Sequence, residues 1–151
     1  MLRSLALALA GLLAVAPAAA QNAVRIGLSA PLSGPDAVFG QGLRQGAEQA
    51  VADLNRAAGG RPRWVLVPGD DAGDPKQAVA VARKFSADGV RLVIGPFESG
   101  AVAAAAPAYE DAGAVAVTTG ATYTPLTSRG LWNLFRMAPS DAQQGRAAAA
   151  Y

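Results

Sequence analysis

The 151-residue chain contains neither cysteine nor histidine. That removes the cysteine–histidine nucleophile pair, thiolate and imidazole metal sites, and any disulfide. A surplus of one charge sign is also lacking. The 13 basic and 11 acidic residues give a formal charge of +2, and Arg3 near the N-terminus accounts for one of the positive charges. Such a balance does not predict nucleic acid or an anionic membrane surface as a partner. Long apolar runs are missing too: Leu5 to Val15 is eleven residues, whereas a membrane span needs about 20. With 52% hydrophobic and 16% charged residues the composition is that of a globular protein of about one domain, large enough for one compact core.

The N-terminal residues carry a different signal. Met1-Leu2-Arg3 is a short positive region, Leu5 to Val15 is the apolar run, and Pro17-Ala18-Ala19-Ala20 supplies a helix break and an A-x-A cleavage pattern. This is the pattern of a secretory signal peptide, cleaved after Ala20 to leave Gln21 and directing export into the periplasm. With no cysteine after that point, lipid anchoring there is excluded.

Beyond Asn22, short β-type runs recur: Val24 to Leu28, Trp64 to Val67, Val90 to Ile94, Ala114 to Val117 and Trp132 to Phe135. Between the first three lie helical patterns. Leu43, Ala47, Ala50, Val51, Leu54 and Ala58 share one helical face, and Gly59-Gly60 stops that helix. Asp74-Pro75-Lys76-Gln77 gives an N-cap, a first-turn proline and a capping-box Gln; Ala78, Val79, Ala82 and Phe85 face inward before Asp88-Gly89 ends the run. This alternation predicts an α/β fold, an open and mostly parallel sheet with helices on both faces.

In such sheets ligands bind beyond the carboxyl ends of the strands. In VIGPFESG, Gly95-Pro96 turns the chain out of the sheet and Ser99 stands where a helix begins, either as a plain N-cap or as a group facing an anion. Thr118-Thr119-Gly120-Ala121-Thr122 repeats the small, hydroxyl-bearing pattern after the next strand, and the two edges together would form one polar floor.

Other features lead away from chemistry. Gly40 to Gly46 (GQGLRQG) has its third glycine one residue late for a dinucleotide fingerprint, and no βα turn immediately precedes it. Asp70, Asp71 and Asp74 lack the alternation and the final Glu of a calcium loop and read as a solvated turn with an N-cap. Pro107 is expected to split its helix, Tyr109, Glu110 and Asp111 to form a solvated helix end, and Trp64 and Trp132 to lie in the core first, or else at a cleft rim. No catalytic constellation is present, so no enzyme is predicted.

The segments VRIGLSAPLSGPDAVFGQG, GDDAGDPKQAVAVARKF, GVRLVIGPFESG, YEDAGAVAVTTGATYTPLT and LFRMAPSDAQQG resemble, in order and spacing, the periplasmic branched-chain amino acid-binding proteins of ABC transporters. These are type I periplasmic binding proteins, whose two α/β lobes close on a ligand. The resemblance covers about Val24 to Tyr151. It implies ligand contacts at Ser99, Gly120, Ala121, Thr122, Phe39 and Phe97. The Ser99 hydroxyl and amide and the Thr122 amide would hold a carboxylate, the Gly120 carbonyl and Thr122 hydroxyl an ammonium, and Phe39 would lie near the ligand side chain.

The resemblance also implies a division of the chain: residues 1–20 a signal peptide, 21–139 an N-terminal lobe, and 140–151 the start of a crossover helix toward a second lobe. A hinge would lie at about Met137 to Ser140, and this sequence would be an N-terminal fragment holding lobe 1 only. Enteric members carry a disulfide whose positions match Gly73 and Glu98; here both cysteines are replaced together. Glu98, which would repel a ligand carboxylate, is expected to point to solvent, with a part in ligand charge preference as the other reading.

The implied function is that of a monomeric extracytoplasmic receptor that binds a small amino acid, a branched-chain aliphatic one first, and passes it to the membrane permease of an ABC importer. It would use no cofactor or metal and bind no nucleic acid. The alternative is a periplasmic sensory or regulatory domain of the same fold recognising amides, ureas or aromatic acids. Mass spectrometry of a periplasmic extract is expected to show a mature chain beginning at Gln21; a membrane-bound product retaining Met1 to Ala20 would contradict this.

Overall fold

The computed structural model describes residues 23–59 and 63–151. The leader with its cleavage point after Ala20, and Gly60 of the helix stop, lie outside the described residues. Five strands alternate with helices: β1 (Val24–Ala30), α1 (Ala37–Ala57), β2 (Trp64–Asp70), α2 (Pro75–Ala87), β3 (Leu92–Ile94), α3 (Ser99–Asp111), β4 (Val115–Thr118), a 3₁₀ turn (Thr124–Thr127), β5 (Leu134–Arg136) and α4 (Asp141–Ala149). All pairings are parallel, in the order β2-β1-β3-β4-β5. The α/β sheet read from the alternation is therefore the one formed. Strand order reverses between β1 and β3, which opens a crevice at their carboxyl ends.

Local chemistry sets the helix limits. Asp74 caps α2 by accepting from the Gln77 amide (2.9 Å), with Pro75 at the first helical position. Helices α2 and α3 end in the same way. Gly89 (φ 73°) and Gly113 (φ 63°) take the left-handed conformation, and the amides of Val90 and Ala114 reach back to the carbonyls of Phe85 and Tyr109.

Register divides the sheet into two unequal faces. Gly27, Val67, Val93, Ala116 and Leu134 share one face, on which α2 and α3 pack. Phe85, Val102, Ala105 and Tyr109 are buried there. Room for Phe85 comes from two glycines: a Cβ on Gly27 would meet its ring at 2.7 Å, and one on Gly69 at 2.9 Å. On the opposite face, α1 covers Leu28, Ala30 and Leu66 through Leu43 and Ala47. It reaches Ile94 of β3 but leaves the rest of this face over β3 to β5 open, where Leu92 is 41% and Phe135 53% exposed. A groove of about 530 Å³ runs there between Val38, Phe39 and Leu43 of α1 and Ile94 of β3.

Several residues depart from the sequence reading. Pro107 lies inside a continuous α3, because the buried neighbours Ala105, Ala106 and Tyr109 hold the turn that proline weakens. Tyr109 is 1% exposed and belongs to the core, not to a solvated helix end. Trp132 is exposed. Trp64 is half-buried at the sheet edge, its amide and carbonyl held by the Asn55 side chain (2.8 and 2.9 Å). Leu54 and Ala50, placed on the buried face of α1 by spacing, are exposed.

Gly27→Ala is expected to destabilise by about 1–3 kcal/mol, because the added methyl displaces a packed ring. Thermal unfolding should show a lower midpoint, and a smaller penalty in a Phe85→Leu background.

Candidate functional site

Three loops meet at the carboxyl edge of β1, β3 and β4. The loop after β3 is placed by Gly95, whose φ of 101° and close approach admit no side chain. A Cβ there would lie 1.9 Å from the Ser29 carbonyl oxygen. The Gly95 amide donates to the Val117 carbonyl (2.8 Å), so β3 leaves the sheet in contact with both neighbours. The fully buried Thr118 ties this loop to the next: its hydroxyl donates to the Pro96 carbonyl (2.6 Å) and accepts from the Ala121 amide (3.4 Å).

The structure gives Ser99 a different place from the N-cap. Glu98 is the N-cap of α3 and makes no side-chain capping bond, and Ser99 is the first helical residue. The amides of Ser99, Gly100 and Ala101 have no partner within the helix by its geometry, and the positive end of the helix dipole lies beside them. The Ser99 hydroxyl accepts from the Tyr123 amide (3.3 Å), which leaves its hydrogen free to donate. Thr122, next to Tyr123, thus stands at the same edge as Ser99.

Phe39, in the first turn of α1, stacks on Phe97 with centroids 5.4 Å apart and planes inclined 17°. Beneath Phe97 lies Gly120, where a Cβ would meet the ring at 2.2 Å. The two aromatic candidates and Gly120 therefore form one stack, with Phe39 54% exposed on its outer side. Ala121 is 1% exposed, its methyl in the core, so it can offer a ligand only main-chain atoms.

An acidic group lies beside this edge. Asp70 staples two loops, accepting from the amides of Leu32 (2.9 Å), Ser33 (3.2 Å) and Ala72 (2.9 Å). Its slight burial would raise its pKa, but these bonds together with the Ser33 hydroxyl outweigh that and hold it below the ordinary value. Asp71 is not in a solvated turn: it is fully buried, accepting from Ser29 Oγ (2.7 Å) and the Gly73 amide (3.0 Å). Burial nevertheless pushes its carboxyl above the ordinary range.

Glu98 does not point to solvent. Both its carboxyl oxygens are buried without a hydrogen-bond partner, packed over Gly73, where a Cβ would lie 3.1 Å away. The space above a side-chain-free residue receives it. Burial first, and then the negative charges of Asp71 and Asp36, raise its pKa. Among the described residues no group of three or more acidic residues is placed to hold a metal ion.

Sequence spacing singled out the two hydroxyl-bearing edges but not what joins them. Thr118 and Tyr123 act through a buried hydroxyl and a main-chain amide, neither of which leaves a pattern in sequence.

The periplasmic binding protein family matches residues 23–151. The chain is 43% identical over 129 residues to Leu/Ile/Val-binding protein homolog 1 of Brucella abortus, covering 85% of this chain and 35% of that protein. It is 41% identical to the Leu/Ile/Val-binding protein BraC3 of Rhizobium johnstonii, covering 99% and 41%. An ABC transporter substrate-binding protein from Desulfitobacterium hafniense, solved with Leu, superposes with a TM-score of 0.74 at 32% identity, covering 86% of this chain and 38% of that one. The branched-chain amino acid transporter substrate binding protein LivJ from Streptococcus pneumoniae, solved with isoleucine, superposes at 0.75 with 29% identity, covering 80% and 35%. The chain thus spans 35% to 41% of the length of these proteins.

A raised carboxyl pKa means that the folded state binds more protons than the unfolded one. Glu98 therefore costs stability as pH climbs above its ordinary value of 4.5. Glu98→Gln is expected to raise the thermal midpoint at neutral pH, with the gain vanishing at about pH 4. An equal midpoint for variant and wild type at neutral pH would place this carboxylate in water.

Proposed function

The chain belongs to the periplasmic binding protein family, and on that premise we propose that residues 21–139 are one lobe of an extracytoplasmic receptor for a small amino acid. A branched-chain aliphatic amino acid is the first choice. The protein delivers it to the membrane permease of an ABC importer, residues 1–20 serving export and 140–151 leading toward a second lobe. It acts by binding and not by catalysis.

One observation carries this reading. The uncapped N-terminus of α3 stands at the same edge as Thr122, joined to that loop by the Ser99–Tyr123 bond, with an exposed aromatic stack beside both. A free α-amino acid has three parts that such an edge suits. Its carboxylate is matched by the α3 amides, the Ser99 hydroxyl and the Thr122 amide. Its ammonium needs acceptors, which the Gly120 carbonyl and the Thr122 hydroxyl supply. An aliphatic side chain gains by covering Phe39 and Phe97. The names of the relatives, and the leucine and isoleucine held by two of the structural neighbours, support the same ligand class.

A single wall leaves a zwitterion in water, where exposed charge contacts contribute about 0–1 kcal/mol. A second lobe that closes over the ligand removes that screening. In the two-lobed protein, Ser99→Ala and Thr122→Ala each delete a hydrogen bond to a charged group, worth about 1.5–3 kcal/mol, so leucine binding should weaken roughly 10- to 100-fold. Isothermal calorimetry measures this. Unchanged affinity in both variants rejects the site, and response only to aromatic acids or amides rejects the solute.

A further inference from the structure

The wall that holds Thr122 is irregular backbone, so its usefulness depends on what fixes it. Between β4 and the 3₁₀ turn the chain runs from Thr119 to Tyr123 without regular structure. Arg136, the last residue of β5, reaches this segment from behind. Its Nη1 donates to the Tyr123 carbonyl (3.0 Å) and its Nη2 to the Thr124 carbonyl (2.9 Å). Nη2 and Nε also donate to Thr127 Oγ1 (2.5 and 3.1 Å). All three guanidinium nitrogens serve one turn, and none of the ion pairs among the described residues includes Arg136.

The start of α4 grips the same segment. The Asp141 amide donates to the Thr122 carbonyl (2.8 Å) and the Ala142 amide to Thr124 Oγ1 (3.1 Å). The Tyr123 amide is taken by Ser99. From Thr122 to Thr124, each residue is therefore held through main-chain or side-chain atoms by α3, β5 or α4. The Thr122 amide and hydroxyl have no such partner.

We infer that Arg136 is a positioning residue for ligand binding, clamping the carbonyls of Tyr123 and Thr124 so that the amide and hydroxyl of Thr122 stay presented to the crevice. This rests on the proposal that Thr122 contacts the ligand. Arginine suits the task because its rigid fork reaches three acceptors at once, whereas the lysine ammonium is a point donor on a flexible stem. Fixing the loop before ligand arrives lowers the ordering cost of binding.

The test has two arms. In the chain itself, Arg136→Lys and the milder Thr127→Val should each speed amide hydrogen exchange at Tyr123 and Asp141 by about tenfold or more while leaving β3 unchanged. No change at these amides, or an equal rise throughout the sheet, overturns the clamp. In the two-lobed protein, Arg136→Lys should weaken leucine binding about tenfold in the wild-type background and by clearly less in a Thr122→Ala background, which lacks the hydroxyl and keeps only the amide of residue 122. Additive losses overturn the inference, because a residue that only stabilises the fold does not act through Thr122. If the wild-type protein binds no aliphatic amino acid, the proposed function fails, while the exchange arm still decides whether Arg136 holds the loop.

Discussion

The parallel hydrogen bonding of β3 between β1 and β4 is the constraint on which the rest of the molecule depends. This strand is three residues long, yet its pairing on both sides sets the point at which strand order reverses. Because order reverses there, α1 leaves on one face and α3 on the other, and the loops between them part to form a crevice. The Gly95 amide bonded to Val117, and the Ser29 carbonyl against the bare Gly95 Cα, extend that pairing one step past the strand. The position of Ser99 follows from that step.

Past the strands, polar groups replace apolar packing as the means of fixing the chain. Thr118 joins the two crevice loops through its hydroxyl, Asp70 joins the loops after β1 and β2 through three amides, and Arg136 and α4 hold the turn behind Thr122. Each meets the need of irregular backbone, whose amides and carbonyls must find partners once buried. The first amides of α3, the Ser99 hydroxyl proton and the Thr122 amide are left over from this economy. The proposed binding edge is thus a set of groups that the fold does not use.

The carboxyl of Glu98 is buried without a partner over Gly73, and desolvation together with its like-charged neighbours raises its pKa. The uncovered apolar face over β3 to β5 is the counterpart of the well-covered face under α2 and α3. The same alternation of side chains produces both, and only the supply of helices differs.

The sequence by itself determined the alternation of strands and helices, the caps at Asp74 and at Gly89, and the clustering of small hydroxyl residues after β3 and β4. These are local matters, settled by side-chain period, by the φ freedom of glycine and by the short reach of an N-cap carboxylate. Only the tertiary structure decided which residues the fold would claim. Asp71 and Tyr109 look like surface residues in sequence, but the loop after β2 and the inner side of α3 carry them into the core, where hydrogen bonds or packing outweigh exposure. Pro107 stays helical because its neighbours are buried, and Glu98 turns inward because Gly73, 25 positions earlier in the chain, leaves it room. Arg136 drew no reading from the sequence; its place is set by the carbonyls of Tyr123 and Thr124, which converge on it. Asp71, Glu98 and Arg136 each meet a partner well separated in sequence, and what each contributes depends on that partner.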